Sequence, residues 1–149
     1  EVRLMNAYYI ICTHVIKNQK NEITEIHCTY DPKTKGGWSK DGRKVKGTIH
    51  WVSANKSIKA NINVYDKLFN TINPYNCKNN ETFINNLNKE SLTRIKNARL
   101  ELSLSNASKN QNYQFLRTGY FILDAHSSKE NLIFNQTVGL RDSWNKKKS

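Results

Sequence analysis

Short stretches of strand-forming residues, separated by turn-forming residues, constrain the fold of this chain more than any other feature of its sequence. β-Branched and aromatic residues recur in these stretches, and Asn, Gly and Ser fill many of the intervals between them. No stretch has the length and period of a long helix, and no internal repeat of about 20–50 residues occurs. The pattern therefore predicts an all-β protein, a sandwich or a barrel. The predicted strands are residues 2–16, 22–30, 47–53, 60–65, 92–104, 113–116, 119–123 and 132–138.

The chain of 149 residues is long enough for one domain or for two small subdomains with a real core. Residues 18–21 predict a hairpin turn, residues 31–46 a long polar loop, and residues 81–89 a short helix. We expect four parts along the chain. These are residues 1–69 as the first barrel part, 70–91 as a crossing loop with a short helix, 92–145 as the second barrel part, and 146–149 as a frayed tail.

The charge of the chain favours an anionic partner. The net charge is +12 and the isoelectric point is about 9.7, which suits a nucleic acid or an anionic membrane surface. No apolar run has the length of a membrane-spanning helix, and no basic amphipathic helix is found, so nucleic acid is favoured over a membrane. A basic protein without a specific anionic partner stays an alternative.

Three cysteines, Cys12, Cys28 and Cys77, form an odd set, and no signal peptide precedes them. Free thiols in a reducing cytosol fit this composition best, so a cytoplasmic location is predicted. The chain begins with Glu1 instead of a methionine, and the strand pattern is already present at Val2. We therefore expect a piece of a longer protein.

Neither a catalytic constellation nor a metal site is predicted. There is no glycine-rich phosphate loop of the P-loop or dinucleotide type. Cys12 and His14 are two residues apart, which places both side chains on one face of a strand, and His27 adjoins Cys28. Because there is no Cys-x-x-Cys pair and no matching His pair, ordinary strand residues are favoured over metal ligands.

A basic loop bounded by glycines leads directly into a predicted strand, in the sequence DGRKVKGTIHWVS. Arg43, Lys44 and Lys46 stand between Gly42 and Gly47. The glycines let the backbone bend sharply and approach a partner closely. Because the three cations give the loop a positive field, we predict a contact with a polyanion here.

The segment YQFLR, residues 113–117, combines the side-chain types that read unpaired bases. Arginine and glutamine form hydrogen bonds to base edges, and aromatic rings stack on base faces. In a strand, Gln114 and Arg117 point to opposite faces. They can meet one base only if the strand ends or kinks between them, which Thr118 and Gly119 permit. From spacing alone, an ordinary strand with two surface side chains is favoured.

Five blocks cover nearly the whole chain: EVRLMNAY (1–8), CTYDP (28–32, before the basic loop), VYDKLF (64–69), YQFLRTGYF (113–121) and FNQTVGLRDSW (134–144). In this order they resemble the C-terminal anticodon-binding region of bacterial glutaminyl-tRNA synthetases. The resemblance implies an all-β fold of two small antiparallel Greek-key β-barrels, similar to a ribosomal-protein barrel. At most one or two short helices are expected with it.

The resemblance also implies roles for individual residues. In the family, a Gln and an Arg of the fourth block contact the middle anticodon base, and these roles fall on Gln114 and Arg117. Two arginines of the opening strand contact the first anticodon base. The first matches Arg3, but the second falls on Met5, which cannot donate a hydrogen bond to a base. Discrimination at the first base is therefore not implied for this chain.

The basic loop with Arg43, Lys44 and Lys46 matches a loop of the family as well. The role that we expect for these three residues is electrostatic, toward the tRNA backbone.

The resemblance implies that this chain is the anticodon-binding region of a cytoplasmic class I glutamine–tRNA ligase. The class I ATP-binding signatures are absent from the chain, so we expect the active site upstream of Glu1, with ATP and Mg²⁺ used there and no cofactor here. The expected partners are the tRNA for glutamine and the protein's own catalytic domain, with no membrane and a monomeric protein. The alternatives are a related glutamyl-tRNA synthetase, a stand-alone structured-RNA-binding β-barrel, and an interaction module whose charge is incidental.

Overall fold

The structure, a computed structural model, describes residues 1–78 and 81–140. The chain divides into two compact units, a first unit of Glu1–Trp51 and a second unit of Val52–Ser149. Regular structure in the described residues consists of strands and three short 3₁₀ segments, so the all-β prediction is confirmed. In the same residues, no helix is long and apolar enough to cross a membrane.

The first unit contains a four-stranded sheet of β1 (Val2–Leu4), β2 (Tyr9–Lys17), β3 (Ile23–Asp31) and β4 (Thr48–Ile49). The strands lie in the order β3-β2-β1-β4. The pairs β1–β2 and β2–β3 are antiparallel, whereas β1 and β4 are parallel. The predicted strand at 47–53 is therefore reduced to the two residues of β4.

The single strand predicted over residues 2–16 is wrong, because a turn divides it into β1 and β2. Asn6 has a φ of +57°, a left-handed conformation that Asn tolerates and that interrupts a strand. The Leu4 N–H donates to the Tyr8 carbonyl at 2.9 Å across this turn. The turn lets β1 and β2 pair with each other, and β1 becomes an inner strand of the sheet.

The hairpin turn predicted at residues 18–21 is confirmed. The Asn18 side-chain oxygen accepts hydrogen bonds from the backbone N–H groups of Lys20 at 2.9 Å and Glu22 at 3.0 Å. Asn21 has a φ of +63°, which completes the reversal. The returning strand β3 follows within one residue of its predicted start.

The loop between β3 and β4 begins with the 3₁₀ segment Pro32–Thr34. Thr34 is fully buried. Its hydroxyl accepts a hydrogen bond from the Tyr9 backbone N–H at 2.8 Å and donates to the Asp31 carbonyl at 2.7 Å. These bonds anchor the start of the loop to β2 and β3.

The second unit contains a five-stranded sheet of β5 (Ser57–Tyr65), β6 (Leu92–Glu101), β7 (Asn112–Phe115), β8 (Gly119–Leu123) and β9 (Ile133–Gly139). The order is β6-β5-β9-β8-β7. Only β5 and β9 pair in parallel, and the other neighbours are antiparallel. The parallel pairs β1–β4 and β5–β9 depart from the antiparallel expectation, and closure into Greek-key barrels stays a prediction.

The predicted partition into residues 1–69, 70–91 and 92–145 also stays a prediction. In the structure, β5 lies before residue 69 and pairs with two strands that follow residue 91. The predicted frayed tail at 146–149 lies outside the described residues.

The short helix predicted at residues 81–89 is a 3₁₀ segment, Phe83–Asn86. The side-chain oxygen of Asn85 accepts a hydrogen bond from the Thr82 backbone N–H at 3.1 Å, which caps the segment. A further 3₁₀ segment, Leu102–Asn106, ends β6 earlier than the predicted strand at 92–104.

The core of the second unit lies on one face of its sheet and is built around aromatic rings. Phe134 has no exposed surface, and its ring centroid lies 5.4 Å from that of Phe115. Phe115 stacks on Phe121 with ring centroids 4.2 Å apart. The buried residues of the core are Ala60, Ile62, Phe121, Leu123, Leu132 and Phe134.

Candidate nucleic-acid interface

Arg3 and Met5 border one small cleft of about 170 Å³ in the first unit. Arg3 donates from Nε at 3.1 Å and Nη2 at 2.9 Å to the Thr48 hydroxyl, and from Nη1 to the Gly37 carbonyl at 3.3 Å. These bonds use three of the five N–H donors of a guanidinium, which leaves two for a ligand. The Met5 carbonyl accepts a hydrogen bond from Trp51 Nε1 at 3.0 Å. The structure thus brings together the two residues predicted at the first anticodon base.

Trp38 lines the same cleft, and 75% of its surface is exposed. The Arg3 Cζ atom lies 5.6 Å from the centroid of the indole ring, within the range of a cation–π contact. Sequence reasoning missed this residue. The signal that could have found it is a tryptophan directly after Gly36 and Gly37 in a lysine-rich loop.

Arg43 is held by acidic side chains of its own unit. Its Nη2 contacts Asp31 Oδ2 at 2.6 Å, its Nη1 contacts Asp41 Oδ2 at 2.6 Å, and its Nε contacts Glu1 Oε2 at 3.0 Å. Its Cζ atom lies 5.2 Å from the Tyr9 ring centroid. The hydrogen bonds from Arg43 lower the pKa values of Glu1 and Asp31. Arg43 therefore ties the basic loop to β3, and its role toward the tRNA backbone stays a prediction.

Lys44 and Lys46 differ from Arg43 because both side chains are exposed. Neither side chain forms a hydrogen bond or an ion pair with another residue in the described part of the chain. A groove of about 720 Å³ in the same loop is bordered by Lys33, Lys35 and Lys40. The structure therefore places three further lysines at a groove of this loop, which Arg43 and Asp41 also border.

Gln114 and Arg117 lie at one end of the β7–β8 hairpin. Gln114 is exposed, whereas its neighbours Tyr113 and Phe115 pack against the core from the opposite face of β7. β7 ends at Phe115, whose carbonyl accepts a hydrogen bond from the Thr118 N–H at 2.8 Å. Arg117 is exposed and has a φ of +63°. The strand therefore ends between Gln114 and Arg117, as their meeting at one base requires.

Arg117 also lines a cleft of about 1270 Å³ in the second unit, together with Asp66, Lys89 and Gln136. The cleft carries both signs of charge and a neutral amide. All of these groups form hydrogen bonds with base edges, and the arginine and lysine also bind phosphates. Gln114 is not among the residues that line it, so the cleft extends from the Arg117 side of the hairpin.

Cys12 and His14 do not share a strand face as predicted. Cys12 pairs with Cys28, and His14 pairs with His27, with an irregularity in the register between the two pairs. Because Cys28 and His27 are successive residues of β3, the thiol pair and the imidazole pair face opposite sides. In the described residues, no group of three or more His, Cys, Asp or Glu side chains is placed to hold a metal ion.

Two family models match the chain, both described as the anti-codon binding domain of class I tRNA synthetases (E and Q). One matches residues 48–124 and the other matches residues 1–31. The first of these models alone covers about half of the chain, and together the two match parts of both units.

Proteins named glutamine–tRNA ligase match the chain from end to end. The identity is 50% over 147 residues for the protein of Vibrio parahaemolyticus, 51% over 147 residues for that of Serratia proteamaculans, and 44% over 146 residues for that of Bradyrhizobium diazoefficiens. Each match covers 98% of this chain but only 25–26% of the relative. The chain therefore spans about a quarter of the length of these curated relatives.

An all-β chain with a strongly basic loop and an exposed glutamine and arginine beside one hairpin turn has the features of the RNA-binding class of proteins. The chain belongs to the anti-codon binding domain family of class I tRNA synthetases (E and Q). The family predicted from the five sequence blocks is confirmed by this match and by relatives about 50% identical over 98% of the chain.

Proposed function

We propose that this chain is the anticodon-binding part of a glutamine–tRNA ligase and selects the tRNA for glutamine through its anticodon. The observation that carries the proposal is 50% identity over 98% of the chain to a protein named glutamine–tRNA ligase. The family includes both E and Q synthetases, and the relatives cited above carry the Q name, which favours glutamine over glutamate.

At the middle anticodon base we assign readout to Gln114 and Arg117. Uracil, the middle base of glutamine anticodons, presents one N–H donor between two carbonyl acceptors. A glutamine amide both donates and accepts, while a guanidinium only donates, so the pair complements this edge. Both side chains are exposed, and the turn that ends β7 begins between them, which supports their approach to one base.

At the first anticodon base we assign a contact to Arg3, which keeps two N–H donors beyond its three bonds to Thr48 and Gly37. Met5, in the same cleft, has no donor and supplies an apolar contact. Lys44 and Lys46 act on the phosphate backbone, because their exposed ammonium groups attract any RNA sequence equally.

The remaining parts of the proposal concern the protein outside this chain. The relatives are about four times longer, so we place the catalytic domain, with its ATP and Mg²⁺, in the remaining sequence. Attachment of glutamine to its tRNA is then the activity of the whole protein, and no catalytic step falls to this chain. We further propose a cytoplasmic monomer whose partners are the tRNA and its own catalytic domain.

The test is charging of tRNA transcripts by the full-length protein with Arg117→Ala. Loss of a base-edge contact costs about 1–3 kcal/mol, so kcat/KM for the glutamine tRNA should fall by roughly 5- to 150-fold. Discrimination against transcripts with a changed middle base should fall with it. Arg99→Ala is the matched control, because Arg99 is an exposed arginine of β6 in the same unit.

The proposal is wrong about the substrate if the full-length protein charges glutamate in place of glutamine. It is wrong about Arg117 if the alanine variant keeps the wild-type preference at the middle base. If Arg117→Ala and Arg99→Ala lower kcat/KM equally, the effect is due to the loss of a positive charge. That result would also contradict base readout by Arg117.

A further inference from the structure

We propose that Trp38 is the surface on which the first anticodon base stacks, in the cleft that it shares with Arg3 and Met5. The inference rests on the proposed function and adds an aromatic residue to that site. The ligand class is an unpaired nucleobase, bound through its face and not only through its edge.

The exposure of Trp38 is the first observation that supports this role. Tryptophan is highly buried on average, yet 75% of this side chain is accessible. Its contact with the Arg3 guanidinium at 5.6 Å is a cation–π contact, and no ring stacks on it within the described residues. An exposed indole in a basic loop is the type of surface on which bases of single-stranded RNA stack.

The backbone that carries Trp38 is the second observation. Gly36 and Gly37 have φ values of +87° and +83°, which other residues adopt only with strain. A Cβ atom on Gly37 would lie 3.1 Å from Arg3 Cδ, so any larger residue would also have to displace the Arg3 side chain by a few tenths of an ångström. The Gly37 N–H donates to the carbonyl of the buried Thr34 at 2.9 Å. The indole is therefore presented by an anchored loop, beside a cation that is itself held in place.

The chemistry of the cleft suits the first anticodon base, whose identity varies between glutamine tRNAs. Stacking is tolerant of base identity, because every base has a π-face. Met5 adds apolar contact without a donor, and the two remaining donors of Arg3 can meet the O2 carbonyl oxygen, which both pyrimidines carry. Glutamine tRNAs differ at the first anticodon base, so a site built on stacking accepts each of them. Trp38 should therefore contribute equally to binding of loops with cytosine or uracil there.

The test measures dissociation constants of the full-length protein for the anticodon stem-loop of the glutamine tRNA, by fluorescence anisotropy of labelled RNA. Three RNAs are compared: the intact loop, the loop with an abasic nucleotide at the first anticodon position, and a scrambled loop. The protein variants are Trp38→Ala, Trp38→Phe and the control Tyr30→Ala. Tyr30 is also an exposed aromatic residue of the first unit, at 61%, and it does not line the cleft.

Removal of one stacking partner corresponds to roughly a 5- to 150-fold loss of affinity. Trp38→Ala should therefore weaken binding of the intact loop by that factor. Trp38→Phe should weaken it less, and Tyr30→Ala should bind with wild-type affinity. For the abasic loop, Trp38→Ala and wild type should bind equally, because the base that stacks is absent. Each protein variant is also melted thermally. Melting with wild-type cooperativity shows that the substitution does not unfold the protein.

Two results would overturn the inference. One is an equal loss for the intact and abasic loops, which would assign Trp38 a structural role. The other is no loss for either loop. If wild type binds the scrambled loop as tightly as the glutamine loop, the proposed function is itself wrong, and the assignment of Trp38 to an anticodon base is wrong with it.

Discussion

Replacing Gly119 with alanine tests how closely β8 and β9 pair at the start of β8, directly after the turn that carries Arg117. An alanine Cβ at position 119 would lie 2.7 Å from the Val138 carbonyl oxygen and 2.9 Å from Gln136 Nε2. The glutamine amide can rotate away, but a backbone oxygen of the sheet cannot. The strands must therefore separate locally. Overpacking of this kind costs about 1–3 kcal/mol, and we expect the free energy of unfolding to fall by that amount.

The assay is urea unfolding followed by circular dichroism, with the midpoint and the m-value compared with wild type. Gly47→Ala is the matched control, because a Cβ there would lie 3.5 Å from Val2 Cγ1, an ordinary van der Waals contact, at a φ that is not left-handed. We expect the control to change stability by no more than about 0.5 kcal/mol. If Gly119→Ala is as stable as Gly47→Ala, the clash does not occur and the argument from strand pairing fails.

Four further perturbations follow from the structure. Phe134→Ala empties a fully buried site and should lower the free energy of unfolding by about 3–5 kcal/mol in the same urea assay. Arg43 lowers the pKa of Asp31, and a carboxyl with a lowered pKa stabilises the fold at pH values above its unfolded pKa. The loss of stability in Arg43→Met should therefore be full at pH 7 and should shrink as the pH falls below 3.8. A loss that does not change with pH would contradict this. Lys44→Ala should reduce the slope of log Kd against log salt concentration by roughly 0.7 for each phosphate that the lysine neutralises, with anticodon preference unchanged, whereas an unchanged slope would exclude a phosphate contact. Met5→Arg adds a donor to the first-base cleft and should favour one of two transcripts that differ only at that base; an unchanged charging ratio would show that Met5 does not face it.

The features that sequence reasoning predicted correctly depend on residues close together in the chain. The turn at residues 18–21 forms because the Asn18 side chain bonds backbone N–H groups two and four residues later. The outward direction of Gln114 follows from strand alternation beside Tyr113 and Phe115. The family blocks likewise identified the anticodon-binding family, which the comparisons confirm.

The features that sequence reasoning missed depend on single backbone conformations or on distant partners. Asn6 interrupts the opening strand by adopting a left-handed φ, although the flanking residues have ordinary strand propensity. The register irregularity after Cys12 moves the side chain of His14 to the other face of the hairpin. The parallel pairing of β5 with β9 joins residues about 70 apart, and strand propensity does not select such a partner.

The sequence by itself determined the all-β class, the basic character of the loop before β4 and the family to which the chain belongs, because composition, alternation and local motifs carry that information. Only the tertiary structure decided which cations remain exposed. In the sequence, Arg43 is one of three equivalent cations of the loop. In the structure, it is bound by Asp31 and by Glu1, which is 42 residues away. Trp38 is distinguished in the same way, since its place beside Arg3 arises from a loop anchored 34 residues from β1. Contacts over such separations are selected by the packing of the whole unit, and no local pattern encodes them.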